Sequence, residues 1–209
     1  MRTIGDIMRL APVIPVLVIE DAGDAGAIAR ALVAGGLRVL EVTLRTPAAL
    51  DAIAEMRKVE GAVVGAGTVL DPVQLDRSLA AGAEFIVSPG LTEPLGRAAI
   101  ASAIPFLPGI ATAADLMRGL DLGLSYFKFF PAETSGGIPA LRALAGPFGA
   151  ARFCPTGGIT QASAQAWLEI EPVLCVGGSW LVPKGPADPA RIESLARAAA
   201  ALKRSEGGD

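Results

Sequence analysis

Residues 39–47 run Val39-Leu40-Glu41-Val42-Thr43-Leu44-Arg45-Thr46-Pro47. The run Val39–Leu44 is aliphatic or β-branched except at Glu41, which suits a strand covered on both faces. Thr46-Pro47 is a helix-start signal, a hydroxyl cap followed by a proline at the first helical position. The Ala- and Leu-rich segment that follows, to Lys58, has helical spacing. Strand, turn and helix thus fit in about twenty residues, as expected of one βα unit.

The same unit recurs from end to end. Strands are expected at Val13–Ile19, Val39–Leu44, Ala62–Ala66, Phe85–Val87, Phe106–Pro108, Tyr126–Phe130, Arg152–Pro155 and Val173–Val176. Helices are expected over about 21–35, 47–58, 71–81, 92–103, 112–122, 136–146, 160–169 and 189–204. Asp71-Pro72, Thr92 with Glu93, Thr112 and Asp188-Pro189 mark further helix starts. Eight strands alternating with eight helices predict an α/β fold, a (β/α)8 TIM barrel, as one domain over 1–209. The alternative is a doubly wound open sheet, but no G-x-G-x-x-G follows the first strand.

Composition narrows the chemistry. The 209 residues include no histidine, so a Ser-His-Asp triad, an imidazole base and a His-ligated metal are all excluded. The net charge is −3 and no basic run occurs, which argues against nucleic acid as a partner. Hydrophobic residues make up 52 % and mean hydropathy is +0.50, which raises the question of a membrane. The longest charge-free stretch, Ala98 to Ala114, carries Pro105, Pro108 and Gly109 and cannot be one uninterrupted helix. Arg2 and Arg9 before the apolar run Leu10–Ile19 resemble a signal peptide, but Pro12, Pro15 and the following Glu20-Asp21 fit a first strand better. Cys154 and Cys175 lie in apolar runs and are expected to be buried free thiols of a cytoplasmic protein.

In a barrel of this kind the strand ends carry the chemistry. Of the lysines, Lys58, Lys184 and Lys203 lie in polar surroundings, whereas Lys128 lies in Leu124-Ser125-Tyr126-Phe127-Lys128-Phe129-Phe130-Pro131. A charge among phenylalanines is costly to bury. Lys128 is either paired with an interior carboxylate, snorkelling at the rim, or a nucleophilic amine. Apolar surroundings favour the neutral amine, which attacks ketones to form a Schiff base. Such chemistry needs a proton shuttle, and Glu41 is the candidate. Strand alternation places Val39, Glu41, Thr43 and Arg45 on one face, expected to be the interior. Glu41 and Arg45 stand about 13 Å apart along an extended strand, too far for a direct ion pair. Arg45 is instead a candidate anchor for an anionic substrate. Thr156-Gly157-Gly158 and Gly177-Gly178-Ser179 end the seventh and eighth strands. Backbone N–H groups there, near helix N-termini, are expected to cradle a phosphate.

The motifs Glu41-Val42-Thr43-Leu44-Arg45-Thr46, Gly65-Ala66-Gly67-Thr68-Val69-Leu70, Lys128-Phe129-Phe130-Pro131-Ala132-Glu133, Pro155-Thr156-Gly157-Gly158-Ile159 and Val176-Gly177-Gly178-Ser179-Trp180-Leu181 are specific in combination. Together they resemble the bacterial 2-keto-3-deoxy-6-phosphogluconate (KDPG) aldolase / 4-hydroxy-2-oxoglutarate (KHG) aldolase family, over about residues 10–184. The resemblance implies a class I, Schiff-base lyase that needs no metal or cofactor and forms a homotrimer. It implies Lys128 as the imine-forming residue and Glu41 as the acid and base. Arg45 and Thr68 would hold the pyruvate carboxylate, and Pro89 and Phe130 would line the pocket. Gly157, Gly158, Gly178 and Ser179 would hold the substrate phosphate, and Thr156 resembles the gluconate-type members. The implied reaction splits 2-dehydro-3-deoxy-6-phosphogluconate, a keto-acid sugar phosphate, into pyruvate and glyceraldehyde 3-phosphate. Three alternatives remain open: a 4-hydroxy-2-oxoglutarate aldolase releasing glyoxylate, a phosphate-binding isomerase or epimerase with Glu41 as base, and a non-catalytic ligand-binding barrel. The apolar excess also leads to an expected patch on the outer helices that joins subunits.

Overall fold

The computed structural model describes residues 2–183 and 185–205. Lys184, one of the four lysines, lies outside them. A short helix α1 (Ile4–Arg9) precedes the first strand. The strands are β1 (Val13–Leu17), β2 (Val39–Thr43), β3 (Val63–Gly67), β4 (Phe85–Val87), β5 (Phe106–Leu107), β6 (Gly109–Ile110), β7 (Tyr126–Phe129), β8 (Arg152–Pro155) and β9 (Val176–Gly178). Between and after them come α2 (Ala22–Ala34), α3 (Ala49–Met56), α4 (Pro72–Ala80), α5 (Glu93–Ala101), α6 (Ala113–Asp121), α7 (Gly137–Ala145), α8 (Ala164–Leu168) and α9 (Pro189–Ala200). The expected alternation of strand and helix is therefore present, and every strand pairing is parallel.

Six strands form one ladder in the order β5-β4-β3-β2-β1-β9, and three form another in the order β6-β7-β8. The strand expected over Phe106–Pro108 forms at Phe106–Leu107, and beyond Pro108, whose ring nitrogen has no hydrogen to give to a ladder, a further strand that was not expected follows at Gly109–Ile110. The first pairs with β4 and the second with β7. The expected eighth strand lies further along, at Val176–Gly178, while Val173 keeps only a single bridge to Phe153. A second bridge joins Thr156 to Gly177. The stretch Ala98–Ala114 divides between α5, β5, β6 and the start of α6, and Leu10–Ile19 holds β1. Among the described residues no helix is long and apolar enough to cross a membrane.

Most helix starts follow the sequence signals. Asp71 accepts from the Gln74 amide ahead of Pro72, Asp188 accepts from the Arg191 amide ahead of Pro189, and Thr112 forms a capping box with Asp115. Thr92 occupies its cap position without a side-chain bond. Thr46 departs from expectation. Its hydroxyl donates to the Ile19 carbonyl 2.5 Å away, after β1, and α3 starts later, at Ala49. The cap position of α3 is Ala48, which has no side-chain oxygen to offer, so the Thr46 hydroxyl serves the tertiary tie instead.

Alternate strand residues face two apolar layers. Val13, Leu40, Val42, Val64, Ala66, Ile86 and Phe127 pack against the helices. Ile14, Val39, Val63, Phe85, Val87, Leu107 and Cys154 gather on the other face, where Ile7 and Met8 of α1 close them off. Helix α1 escaped the sequence reading because it is only six residues long. Its capping box, Thr3 with Asp6, holds it in place. At the other end of the chain, Arg204 donates to the carbonyls of Arg9 and Leu174 and ties the tail to this same end of the strands. Cys154 and Cys175 are free and buried, as expected. Burial pushes the Cys175 thiol well above the ordinary cysteine range, and the adjoining Cys154 adds to the rise.

Phe85 fills the centre of the inner layer, fully buried. Its ring lies over Gly65, where an added Cβ would stand 2.5 Å from the ring carbons. Replacing Phe85 with alanine leaves a cavity that neighbouring elements cannot close. The F85A variant is expected to lose about 3–5 kcal/mol in urea unfolding.

Candidate active site

Strand β2 carries Glu41 beside Val16 of β1 and Gly65 of β3. Strand β7 carries Lys128 beside Gly109 of β6 and Cys154 of β8. Although they stand 87 positions apart in the chain, Lys128 Nζ donates to Glu41 Oε1 at 3.0 Å. Their side chains are 6 % and 4 % exposed. Removing both charges from water costs several kcal/mol per ion, which the pairing offsets. The Phe130 ring lies 5.3 Å from Nζ and adds a cation–π contact. Of the readings open for Lys128, the interior pair with a carboxylate is present, and the carboxylate belongs to the candidate proton shuttle. The two roles are compatible. Proton transfer across a 3.0 Å contact leaves a neutral amine beside a carboxylic acid.

Glycines make room around the pair. A Cβ on Gly67 would stand 2.3 Å from Glu41 Oε1 and 2.7 Å from its Cγ, so Gly67 is the bed on which the carboxylate lies. A Cβ on Gly109 would meet the Pro89 carbonyl oxygen at 2.1 Å, and one on Gly177 would meet Thr156 Oγ1 at 2.3 Å. In the sequence Gly65 and Gly67 stand out only as members of a motif, since nothing local announces which side chain will lie over a glycine.

The other expected residues are distributed around this pair. Arg45 was expected on the inner face, but β2 ends at Thr43 and Arg45 is exposed beyond it. Two threonines position that segment. Thr43 donates to the Leu17 carbonyl at 2.8 Å and Thr46 to that of Ile19, stitching the end of β2 to the end of β1. Arg45 and Ser179 line the same groove, of about 690 Å³, with Val16, Ile19 and Val182. Pro89 and Phe130 line a different one, of about 370 Å³, with Gly109 and Ile110. Lys128 and Glu41 line neither groove.

Thr68 follows β3 with φ +60°, a left-handed conformation that a β-branched residue rarely adopts. The Val69 amide donates to Val87 and the Leu70 amide to the Gln74 side chain, which hold the bend. Thr156 is buried, with Oγ1 3.4 Å from the Cys154 carbonyl. Gly157 and Gly158 take φ values of +104° and +81°, open to glycine at no steric cost. Gly178 is buried against the Trp180 ring, and Ser179 is exposed. The helices expected from about 160 and about 189 begin at Ala164 and Pro189, so Gly157 and Gly158 stand in a bend ahead of α8, whereas Gly177 and Gly178 lie in β9 itself. Among the described residues no cluster of three or more Cys, Asp or Glu could hold a metal ion.

The family model described as KDPG and KHG aldolase matches residues 4–195. The chain is 62 % identical to the 2-dehydro-3-deoxy-phosphogluconate aldolase of Zymomonas mobilis, over 98 % of this chain and 99 % of the relative. A crystal structure of the Zymomonas mobilis ZM4 2-keto-3-deoxy-6-phosphogluconate aldolase with 3-phosphoglycerate superposes with a TM-score of 0.97 at 61 % identity, covering all of both chains. The aldolase of Legionella pneumophila, with pyruvate captured as a covalent carbinolamine intermediate, superposes with a TM-score of 0.93 at 44 % identity, covering 96 % of this chain and 99 % of that one.

The ion pair makes a prediction independent of activity. Removing one partner strands a buried charge, so E41M and K128M are each expected to lose about 3–5 kcal/mol in urea unfolding. The double variant is expected to regain most of that loss, because two apolar side chains replace two charges.

Proposed function

The chain belongs to the KDPG and KHG aldolase family, and from that premise we propose that it is a class I aldolase cleaving 2-dehydro-3-deoxy-6-phosphogluconate to pyruvate and glyceraldehyde 3-phosphate. The observation that carries this reading is the buried 3.0 Å contact between Lys128 Nζ and Glu41 Oε1. The substrate is that of the similar aldolases.

The chemistry proceeds with atoms and electrons in balance. Glu41 takes a proton from Lys128, and the neutral amine attacks the C2 carbonyl of the keto acid. The carbinolamine loses water as Glu41 returns a proton to the departing oxygen. In the resulting iminium, C2 is electron-poor. Removal of the C4 hydroxyl proton, by Glu41 directly or through a water, lets the C3–C4 bond break. Its electron pair moves into the iminium to form an enamine, and C4 leaves as the aldehyde. Glu41 then protonates C3, and one water hydrolyses the imine to pyruvate. The water lost in forming the imine is thereby replaced.

Arg45 and Thr68 bind the carboxylate of the keto acid, and Pro89 and Phe130 line its pocket. Thr156, Gly157, Gly158, Gly178 and Ser179 bind the phosphate end. No metal or cofactor enters these steps. The two ladders are parts of a single (β/α)8 barrel domain spanning the chain. The Phe153–Val173 and Thr156–Gly177 bridges, which link the β8 segment to the β9 segment, and the direct succession of β5 and β6 across Pro108 support that closure. The buried free thiols suit a cytoplasmic protein. Leu70, Val73, Ile100, Met117 and Leu120 are exposed on or beside α4, α5 and α6, which supports a homotrimer joined through this apolar face. Light scattering at micromolar concentration is expected to give the trimer mass, and a monomer would remove that part of the reading.

The family description names a second substrate, the KHG of unphosphorylated 4-hydroxy-2-oxoglutarate, which would release glyoxylate instead. Borohydride added with pyruvate is expected to fix a stable adduct on Lys128, located by peptide mass spectrometry. No adduct, or one on another lysine, would sink the Schiff-base mechanism. K128R is expected to lose more than about a thousandfold in kcat, since a guanidinium forms no such imine. A comparison of kcat/KM is expected to favour the phosphorylated substrate by at least about tenfold, the scale of one good charged contact.

A further inference from the structure

The segment that follows β7 is laced to the segment that follows β8. The Ala132 amide donates to the Thr156 carbonyl at 2.8 Å, and the Glu133 amide donates to the Gly157 carbonyl at 3.1 Å. Gly157 lies close against Pro131 and Phe130, where a Cβ would stand 3.2–3.3 Å away. Gly158 lies flat on the Glu133 side chain, where a Cβ would be only 2.7 Å from the glutamate Cβ and Cγ. Of the two left-handed glycines of this turn, Gly157 therefore rests on Pro131 and Phe130, and Gly158 on the Glu133 side chain.

That side chain is itself anchored. Trp167 of α8, 1 % exposed, donates its indole N–H to Glu133 Oε1 at 3.0 Å. The indole is held by packing, with its ring 6.3 Å from that of Phe129, the neighbour of Lys128. A buried tryptophan has little freedom, so it fixes where the carboxylate sits. A hydrogen bond to a carboxylate is stronger than one between neutral groups, and without its partner the buried indole N–H is left unsatisfied. The chain of contacts runs Phe129–Trp167–Glu133–Gly158, from the lysine strand to the turn assigned to the phosphate.

We propose that Glu133 is a positioning residue for the phosphate end of the substrate: pinned by Trp167, it holds the Gly157-Gly158 turn in register with Lys128. The inference rests on the aldolase reading above and adds a residue to it. Glu133 touches neither Lys128 nor Glu41. Its loss therefore loosens the grip on the phosphate and leaves the imine chemistry intact.

The test compares E133A, E133Q and W167F with the parent enzyme on two substrates that differ in the phosphate. In E133A the KM for 2-dehydro-3-deoxy-6-phosphogluconate is expected to rise about tenfold, the worth of one charge-assisted hydrogen bond, with kcat within about twofold. For unphosphorylated 4-hydroxy-2-oxoglutarate, kcat/KM is expected to stay within about twofold, as is the rate of borohydride trapping with pyruvate. W167F, which removes the donor, is expected to follow E133A. E133Q keeps an acceptor oxygen and is expected to restore KM to within about threefold of the parent. An equal fall on both substrates would show a merely structural role and overturn the proposal, as would no change in E133A or a loss in E133Q as large as in E133A. Should W167F fail to fold, the E133A and E133Q pair decides alone. Absence of any pyruvate adduct in the parent enzyme would mark a failure of the aldolase reading instead.

Discussion

A lysine and a glutamate hold each other inside the strands, and the surrounding structure follows from the need to accommodate them. Lys128 and Glu41 stand on β7 and β2, brought within 3.0 Å by the curl of the sheet. Two charges removed from water contribute little net stability and demand full pairing. Stability comes from elsewhere, from the helix-facing layer around Leu40, Val42, Ala66 and Phe127 and the inner layer around Phe85. The chain thus separates its apolar core from its charged pair along the length of the same strands. Val39 is core and Glu41, two residues on and on the same face, is half of the buried charged pair.

Side chains are withheld where the pair needs space. Gly67 lies under the Glu41 carboxylate, Gly65 clears the Phe85 ring, and Gly109 lets β6 approach Pro89 closely. Each of these glycines answers to a group on another element. The rim is tied down by hydrogen bonds across strand ends rather than by further packing. Thr43 and Thr46 bind β2 to β1, and the Ala132 and Glu133 amides bind the turn after β7 to the turn after β8. Such ties hold surface segments where packing alone leaves them mobile.

Much of this was legible in the sequence. Continuous apolar runs separated by capped helices predicted the alternating fold, because burial of both strand faces leaves that imprint locally. The oddity of Lys128 among phenylalanines and of Glu41 in an aliphatic run singled out both residues, because an apolar context makes a charge conspicuous. The repeated glycine pairs marked the turn at Gly157-Gly158 and the end of β9 at Gly177-Gly178. Less accessible was Arg45, whose place beyond the end of β2 depends on where the ladder to β3 stops. Thr46 looked like a helix cap and became a strand-to-strand tie, since its partner at Ile19 lies 27 residues away.

The sequence by itself determined the kinds of element, their order and the two charged residues, since periodicity and the cost of burying a charge are local properties. Tertiary structure alone decided that those two charges meet, that β5 and β6 on either side of Pro108 join different ladders, and that Glu133 rests between Trp167 and Gly158. Those outcomes depend on how the sheet curls and on which distant residues it brings to the same level. No local pattern records the partner of a side chain when the two stand 87 positions apart, as Glu41 and Lys128 do.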